Sequence, residues 1–223
     1  MNRAFGIRYY VNMKLKQLEQ SGFIFETDAG FKLALDIGSY TLVEELAGIS
    51  PDAMIVSHLH GDHHSASQIK ALSPKKLYLN QECIEVIGEE TFNSEIIPIQ
   101  AAQEIDIGNI KALPFNVDHG TNVKVVPKEN FGFLFKIDSK KIYFAGDMFF
   151  PSGIDVSSLE VDIALIPVGT FYTFGPKEAL DFVKKFKGIG RVIPTHYQKT
   201  PETKEEFISL AIGSGINIES YPI

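Results

Sequence analysis

Ala53-Met54-Ile55-Val56-Ser57-His58-Leu59-His60-Gly61-Asp62-His63-His64 is the most informative stretch of this chain. Its opening, Ala53 to Ser57, is a short apolar run of the kind that forms a strand buried on both faces. Of the chain's 6 histidines, His58, His60, His63 and His64 follow at once, ahead of a segment, Ser65 to Leu72, that reads as a helix. A loop leaving a rigid strand end can aim several side chains at one point. On an extended segment His58 and His60 point to one side, because the side-chain period is two. Asp62 and His63 then fall on the turn into the helix, where Gly61 is expected to relieve backbone crowding. Imidazole suits Zn²⁺, and a carboxylate adds a hard oxygen ligand that offsets the ion's charge. A solvated histidine-rich loop is the competing reading; it suits an isolated histidine better than H-x-H-x-D-H set directly after a buried strand.

Similar positions recur further along. His119 follows the apolar run Ile110 to Val117 and precedes Gly120. Asp147 follows Lys141 to Ala145 within Phe144-Ala145-Gly146-Asp147. His196 follows Arg191-Val192-Ile193-Pro194 and Thr195. All three lie just past the C-terminal end of an expected strand. Singly, each is as well explained by structure as by function; with the first cluster they supply enough donors for two metal ions. Asp36, ending the run Phe31 to Asp36, is either a strand-end turn residue or a carboxylate that orients a ligand histidine. Cys83 reads as a small buried residue.

Around these residues the pattern is strand-rich. Met13 to Gln17, Phe23 to Thr27 and Phe31 to Asp36 read as a meander, with turns at Ser21-Gly22 and Asp28-Ala29-Gly30. Leu77 to Asn80 is a further strand. Ile96 to Ile99, Glu104 to Ile107 and Ile110 to Val117 form a second strand-rich stretch, followed by Phe131 to Ile137 and Lys141 to Ala145 across the turn Asp138-Ser139-Lys140. Val161 to Pro167 and Arg191 to Pro194 alternate with helices over Pro176 to Phe186 and Pro201 to Ile212, each opening on a proline whose missing N–H costs nothing there. Ile216 to Glu219 reads as a closing strand. Two packed sheets flanked by helices are expected, with no composition shift to divide 1–223 into domains.

The 223 residues are 44% hydrophobic, enough for a sizeable core. Asp and Glu number 28 against 21 Lys and Arg, a net charge of −7, which argues against a nucleic-acid partner. The single cysteine excludes an internal disulfide. No apolar run is long enough to span a bilayer, and Met1 to Leu18 lacks an apolar signal core, so a cytoplasmic location and no membrane partner are expected.

H-x-H-x-D-H, a lone histidine, Gly-Asp after a strand and a late histidine, in that order, resemble the metallo-β-lactamase fold hydrolase superfamily, from about Lys14 onward. Ile166-Pro167-Val168-Gly169, Gly175-Pro176-Lys177-Glu178-Ala179 and Ile193-Pro194-Thr195-His196-Tyr197 are similar to a branch of small hydrolases related to ascorbate-6-phosphate lactonases. The resemblance implies an α+β fold, a four-layer αββα sandwich forming one domain over 1–223, with residues 1–11 an N-terminal extension of unassigned role. It implies two divalent ions, preferably zinc, with manganese or iron compatible. His58, His60 and His119 would hold one, Asp62, His63 and His196 the other, and Asp147 would bridge them. His64 is left over.

The implied activity is hydrolysis of a small-molecule ester, lactone or phosphoester by a metal-bridging hydroxide, with Asp62 and His196 at the chemical step and Asp62 orienting the nucleophile or relaying its proton. Tyr172 or Tyr197 is a candidate hydrogen-bond donor to the oxyanion or leaving group; packing is the alternative for both. Phe171, Tyr172 and Phe174 form either a pocket wall or ordinary core. His58-Leu59-His60-Gly61-Asp62-His63 also fits tRNA 3′-processing endonucleases, a reading opposed by the net charge. An iron-dependent redox protein is a further alternative.

Overall fold

The computed structural model describes residues 7–10, 13–87 and 92–220; residues 1–6 and 11 of the N-terminal extension lie outside them. One sheet has seven strands, ordered β1 (Ile7–Tyr10), β2 (Met13–Gln17), β3 (Phe23–Thr27), β4 (Lys32–Leu35), β5 (Ala53–Ile55), β6 (Lys76–Leu79) and β7 (Glu95–Pro98). The other has six: β8 (Ile105–Ile107), β9 (Ile110–Asn116), β10 (Phe131–Ile137), β11 (Lys140–Phe144), β12 (Glu160–Pro167) and β13 (Gly188–Thr195), each beside the next. Helices α1 (Ala66–Leu72) and α2 (Gln81–Ile87) serve the first sheet, and α3 (Pro176–Val183) and α4 (Pro201–Ala211) the second.

Three apolar layers follow from side-chain alternation along the strands. Leu15, Phe23, Phe25, Leu35 and Ile55 meet Phe133, Phe135, Phe144 and Leu165 between the sheets. On the outer face of the first sheet, Met54, Val56, Leu77 and Leu79 pack with Ile69 and Leu72 of α1 and Cys83 of α2. On the outer face of the second, Tyr143, Ala164, Ile166 and Val192 pack with Leu180, Val183 and Phe207. That is the expected αββα sandwich. Adjacent β12 residues serve different layers, Leu165 inside and Ala164 and Ile166 outside, which is why this strand lacks a polar alternation.

Each sheet is antiparallel at one end and parallel at the other. β4, β5, β6 and β7 run parallel, as do β11, β12 and β13. Their C-terminal ends therefore gather the loops that follow Asp36, Ile55, Phe144, Pro167 and Thr195 along one rim, where open sheets with parallel strands commonly hold ligands.

Several expectations shift. The strand at Ile96–Ile99, read with the second strand-rich stretch, is β7 of the first sheet. The closing strand at Ile216–Glu219 is reduced to a bridge between Val192 and Ile218. Helix α3 stops at Val183, short of Phe186. Helix α2 was not expected; Asn80 before it accepts the Cys83 N–H at 2.8 Å, a side-chain cap visible in retrospect. Within the N-terminal extension, Ile7–Tyr10 pairs antiparallel with β2 as an edge strand.

Candidate metal centre

Loops at this rim bring together all seven residues singled out for metal binding. His58, His60 and His119 offer ring nitrogens to one group, and Asp62, His63, Asp147 and His196 offer donors to a second, with the donor atoms of each group within 4.8 Å of one another. Asp147 lies between the two. Its Oδ1 is 3.2 Å from His63 Nε2, and its Oδ2 is 3.1, 3.7 and 4.0 Å from the Nε2 atoms of His196, His119 and His58. Asp62 Oδ2 stands 3.8 and 3.5 Å from the Nε2 atoms of His63 and His196.

Outer partners determine which nitrogen faces the centre. Asp36 Oδ1 accepts the Ser57 N–H at 2.7 Å, while Oδ2 accepts the Ser57 hydroxyl at 2.5 Å and the His63 Nδ1–H at 2.7 Å. With its proton on Asp36, Ser57 Oγ can only accept, at 2.9 Å, from His58 Nδ1–H. One buried carboxylate thus sets both rings with Nε2 toward the centre, an assignment of protons by the hydrogen-bond network. His60 is reversed. Its Nε2–H donates to the Val125 carbonyl at 2.7 Å, so Nδ1 points inward, 3.0 Å from His58 Nε2. Asp36 is therefore a partner that orients the His63 ring and not only a strand-end turn residue. Asp36→Asn is expected to cost roughly 10–100-fold in metal affinity, measured by competition with a chelator; unchanged affinity would mean that Asp36 orients nothing.

The donor set fits divalent metal ions. His58 Nε2 and His60 Nδ1 face each other as bare lone pairs, an arrangement that a shared cation makes favourable. Both ring nitrogens of His119 are buried without a hydrogen-bond partner, a costly state for polar atoms unless an ion claims them. Burial, and then the neighbouring His63, pushes the His58 pKa well below the ordinary histidine value. Burial works the same way on His63, yet Asp147, Asp62 and Asp36 outweigh it and hold that pKa well above the ordinary value. At His196, burial is likewise outweighed, by Asp147 and Asp62, and the pKa is raised to about 9. Asp62 stays ionised because His63 and His196 overcome the cost of its burial.

The backbone is shaped to the same end. Ser39 N–H donates to the Gly61 carbonyl at 2.7 Å, holding the turn after β4 against the histidine loop. A Cβ on Gly38 would fall on the Asp62 carbonyl group and the His63 nitrogen, whereas one on Gly61 would meet only Ser39 Oγ at 3.9 Å. The crowding expected at Gly61 is therefore at Gly38. His196 has φ 59, in the left-handed region. Its N–H donates to the Gln20 carbonyl at 3.2 Å, and a Cβ on Gly169 would fall on its carbonyl oxygen.

Sequence reasoning missed three contributors. Gln20, at φ 53 in the turn before β3, places its amide nitrogen 3.1 Å from Asp62 Oδ2 and 3.4 Å from His196 Nε2. Val125 contributes its carbonyl to His60. Lys199 lines the cleft, of about 420 Å³, that opens onto the centre beside Tyr40, Phe171 and Tyr172. None belongs to a motif. Among residues that were singled out, His64 is buried outside both groups. Tyr172 lines the cleft, but Tyr197 packs into the outer core against Lys204, whose Nζ is 5.2 Å from its ring centre. The aromatic loop divides: Phe171 and Tyr172 wall the cleft, and Phe174 is core. Cys83 is buried, and burial raises its thiol pKa.

Comparison with known proteins agrees with this geometry. A family model described as a beta-lactamase superfamily domain matches residues 14–196. A UPF0173 metal-dependent hydrolase of Pelotomaculum thermopropionicum is 29% identical over 204 residues, covering 87% of this chain and 88% of its own. Another, from Pyrococcus abyssi, is 30% identical over 167 residues, covering 71% and 73%. Among solved structures, a metal-dependent hydrolase of Parabacteroides distasonis superposes with a TM-score of 0.79 at 19% identity, covering 97% of this chain and 98% of that one. Igni18, a metallo hydrolase of Ignicoccus hospitalis, gives 0.74 at 21% identity over 94% of each chain. These structural likenesses speak to the fold alone.

Proposed function

This chain belongs to the beta-lactamase superfamily, among its UPF0173 metal-dependent hydrolases, and from that premise we propose that it hydrolyses a small-molecule ester, lactone or phosphoester at a pair of divalent ions. The observation that carries the proposal is that the Asp147 carboxylate, in an open cleft, lies within 4.0 Å of histidines from both donor groups. His58, His60 and His119 would hold one ion, Asp62, His63 and His196 the other, with Asp147 common to both. The nitrogen-rich set with carboxylate oxygens suits zinc, and manganese or iron would accept the same donors. Ions bound there would polarise the electrophile's oxygen and bring the pKa of the attacking water toward about 7.

The chain's own residues do the rest. Asp62 lines the cleft as an ionised carboxylate, held by the Gln20 amide, and is placed to orient the attacking water and accept its proton. His196, beside both Asp62 and Asp147, keeps its Nε2 directed at the same point. Leu59, Val123, Val125 and Phe171 give the cleft apolar walls, a lining suited to a small organic substrate.

The test is metal analysis of protein prepared without chelators, then a turnover screen of lactones, phosphodiesters and thioesters with and without added Zn²⁺ or Mn²⁺, with a tRNA precursor as the nuclease arm. Metal-dependent hydrolysis of a small substrate is expected. No ion uptake, or a metal-loaded protein that cleaves only the RNA, would overturn the reading.

Metal uptake should also release protons. At pH 7.5 the metal-free protein carries protons on His196, with its pKa of about 9, and on His63, whose pKa is also raised. Ligand imidazoles must be neutral, so loading should expel about two protons and affinity should rise with pH through this range. Calorimetric zinc titrations in buffers of different ionisation enthalpy measure the number; a value of zero would contradict the charged state of both rings in the metal-free protein.

A further inference from the structure

Two lysines outside the metal groups, Lys124 and Lys199, line the cleft. Lys199 follows the late histidine and lines the cleft with Tyr40, Tyr172 and Thr200. Lys14, Lys75, Lys111, Lys136, Lys140 and Lys187 each close on a carboxylate. The Lys199 ammonium instead stands 4.8 Å from the centre of the Tyr40 ring, a face that attracts a cation without neutralising it. Its pKa is raised, first by the Tyr40 hydroxyl and, against a burial cost, by Asp62 and Tyr172, so the charge is present throughout the neutral range. In a chain of net charge −7, Lys199 and Lys124 add positive charge to a cleft whose two carboxylates, Asp62 and Asp147, belong to the metal groups. Clefts of one sign with apolar walls concentrate ligands of the other.

We propose that Lys199, with the Tyr40 and Tyr172 hydroxyls, binds an oxyanion substituent of the substrate, a carboxylate or a phosphate monoester, while the scissile group sits over the metal centre. The substrates are then organic anions with a charged group at one end and the hydrolysed bond at the other. This rests on the hydrolase reading above and names its substrate class. The ammonium supplies a point charge with three donors and the phenols supply two further O–H groups, a set suited to the several lone pairs of an oxyanion.

The zinc-loaded protein is titrated calorimetrically with butyrate, with the dicarboxylates succinate, glutarate and adipate, and with 3-phosphonopropionate. One anionic end occupies the metal centre, and the chain length explores the span to Lys199. At the best length the second oxyanion should tighten binding about tenfold over butyrate. Lys199→Met should abolish that gain while leaving butyrate affinity and metal content as they were. A larger gain with the phosphonate than with any dicarboxylate identifies a phosphate as the preferred group, and the reverse a carboxylate. No gain at any length, or a gain that survives Lys199→Met, overturns the subsite. Because the readout is binding, the two readings fail separately: a Lys199-dependent gain without turnover on any ester overturns the hydrolase, and turnover without that gain overturns the subsite.

Discussion

Replacing Asp147 by alanine is expected to strip metal from the protein and to lower hydrolysis by about a thousandfold. The carboxylate stands between the two groups, with Oδ1 on His63 and Oδ2 facing His196, His119 and His58. The other carboxylate of the centre, Asp62, stands beside His63 and His196, both of the second group. Loss of one shared anionic ligand removes several kcal/mol of charge stabilisation, and each 1.36 kcal/mol is about tenfold in rate. Asp147→Asn keeps the shape and loses the charge, and should fail in the same direction. The metal-to-protein ratio by elemental analysis and turnover of the best substrate are the measurements. Full metal content with wild-type turnover in the alanine variant would remove Asp147 from its bridging role.

Gly38→Ala is expected to have the next largest effect, although Gly38 contributes no ligand. Its added methyl would overlap backbone atoms of Asp62 and His63, which unlike a flexible side-chain tip cannot swing aside. The loop carrying both ligands must retreat, at a cost of about 2 kcal/mol in stability. A displacement of about 1 Å in a catalytic constellation costs on the order of a hundredfold in rate. Gly61→Ala is the control, since its methyl meets only Ser39 Oγ at 3.9 Å, and it should keep most of its activity. Gly169→Ala should resemble Gly38→Ala, because its methyl overlaps the His196 carbonyl. Thermal melts and turnover of the three variants, compared under one metal-loading protocol, test the set. Equal tolerance at Gly38 and Gly61 would mean that close approach of the two loops does not position the ligands.

Legibility differed between elements for physical reasons. Strands β2, β3 and β10 coincide with their expected limits, because each is a short run of strand-forming residues, and turns at Ser21-Gly22, Asp28-Ala29-Gly30 and Asp138-Ser139-Lys140 mark where the runs break. Helix α2 escaped because its signal is a cap rather than an apolar stripe: Asn80 holds Cys83 N–H while donating to the Ser57 and Glu129 carbonyls. Ile216–Glu219 was over-read, since an apolar segment forms a full strand only where a neighbour offers a paired edge, and here one bridge to Val192 is what pairing there is.

From the sequence alone came the donors and their order, His58, His60, Asp62, His63, His119, Asp147 and His196, each on a segment that follows a strand, and the layered architecture. Tertiary structure alone decided how those donors are used. It chose Nε2 for His58 and His63 through Asp36, and Nδ1 for His60 through the Val125 carbonyl. It also moved the tight approach from Gly61 to Gly38, and brought Gln20 to the cleft from a segment that carries no motif. Periodicity records which way a side chain faces on its own element. The partner that fixes a ring or fills a gap comes from a distant element, and its position exists only once the two sheets have packed.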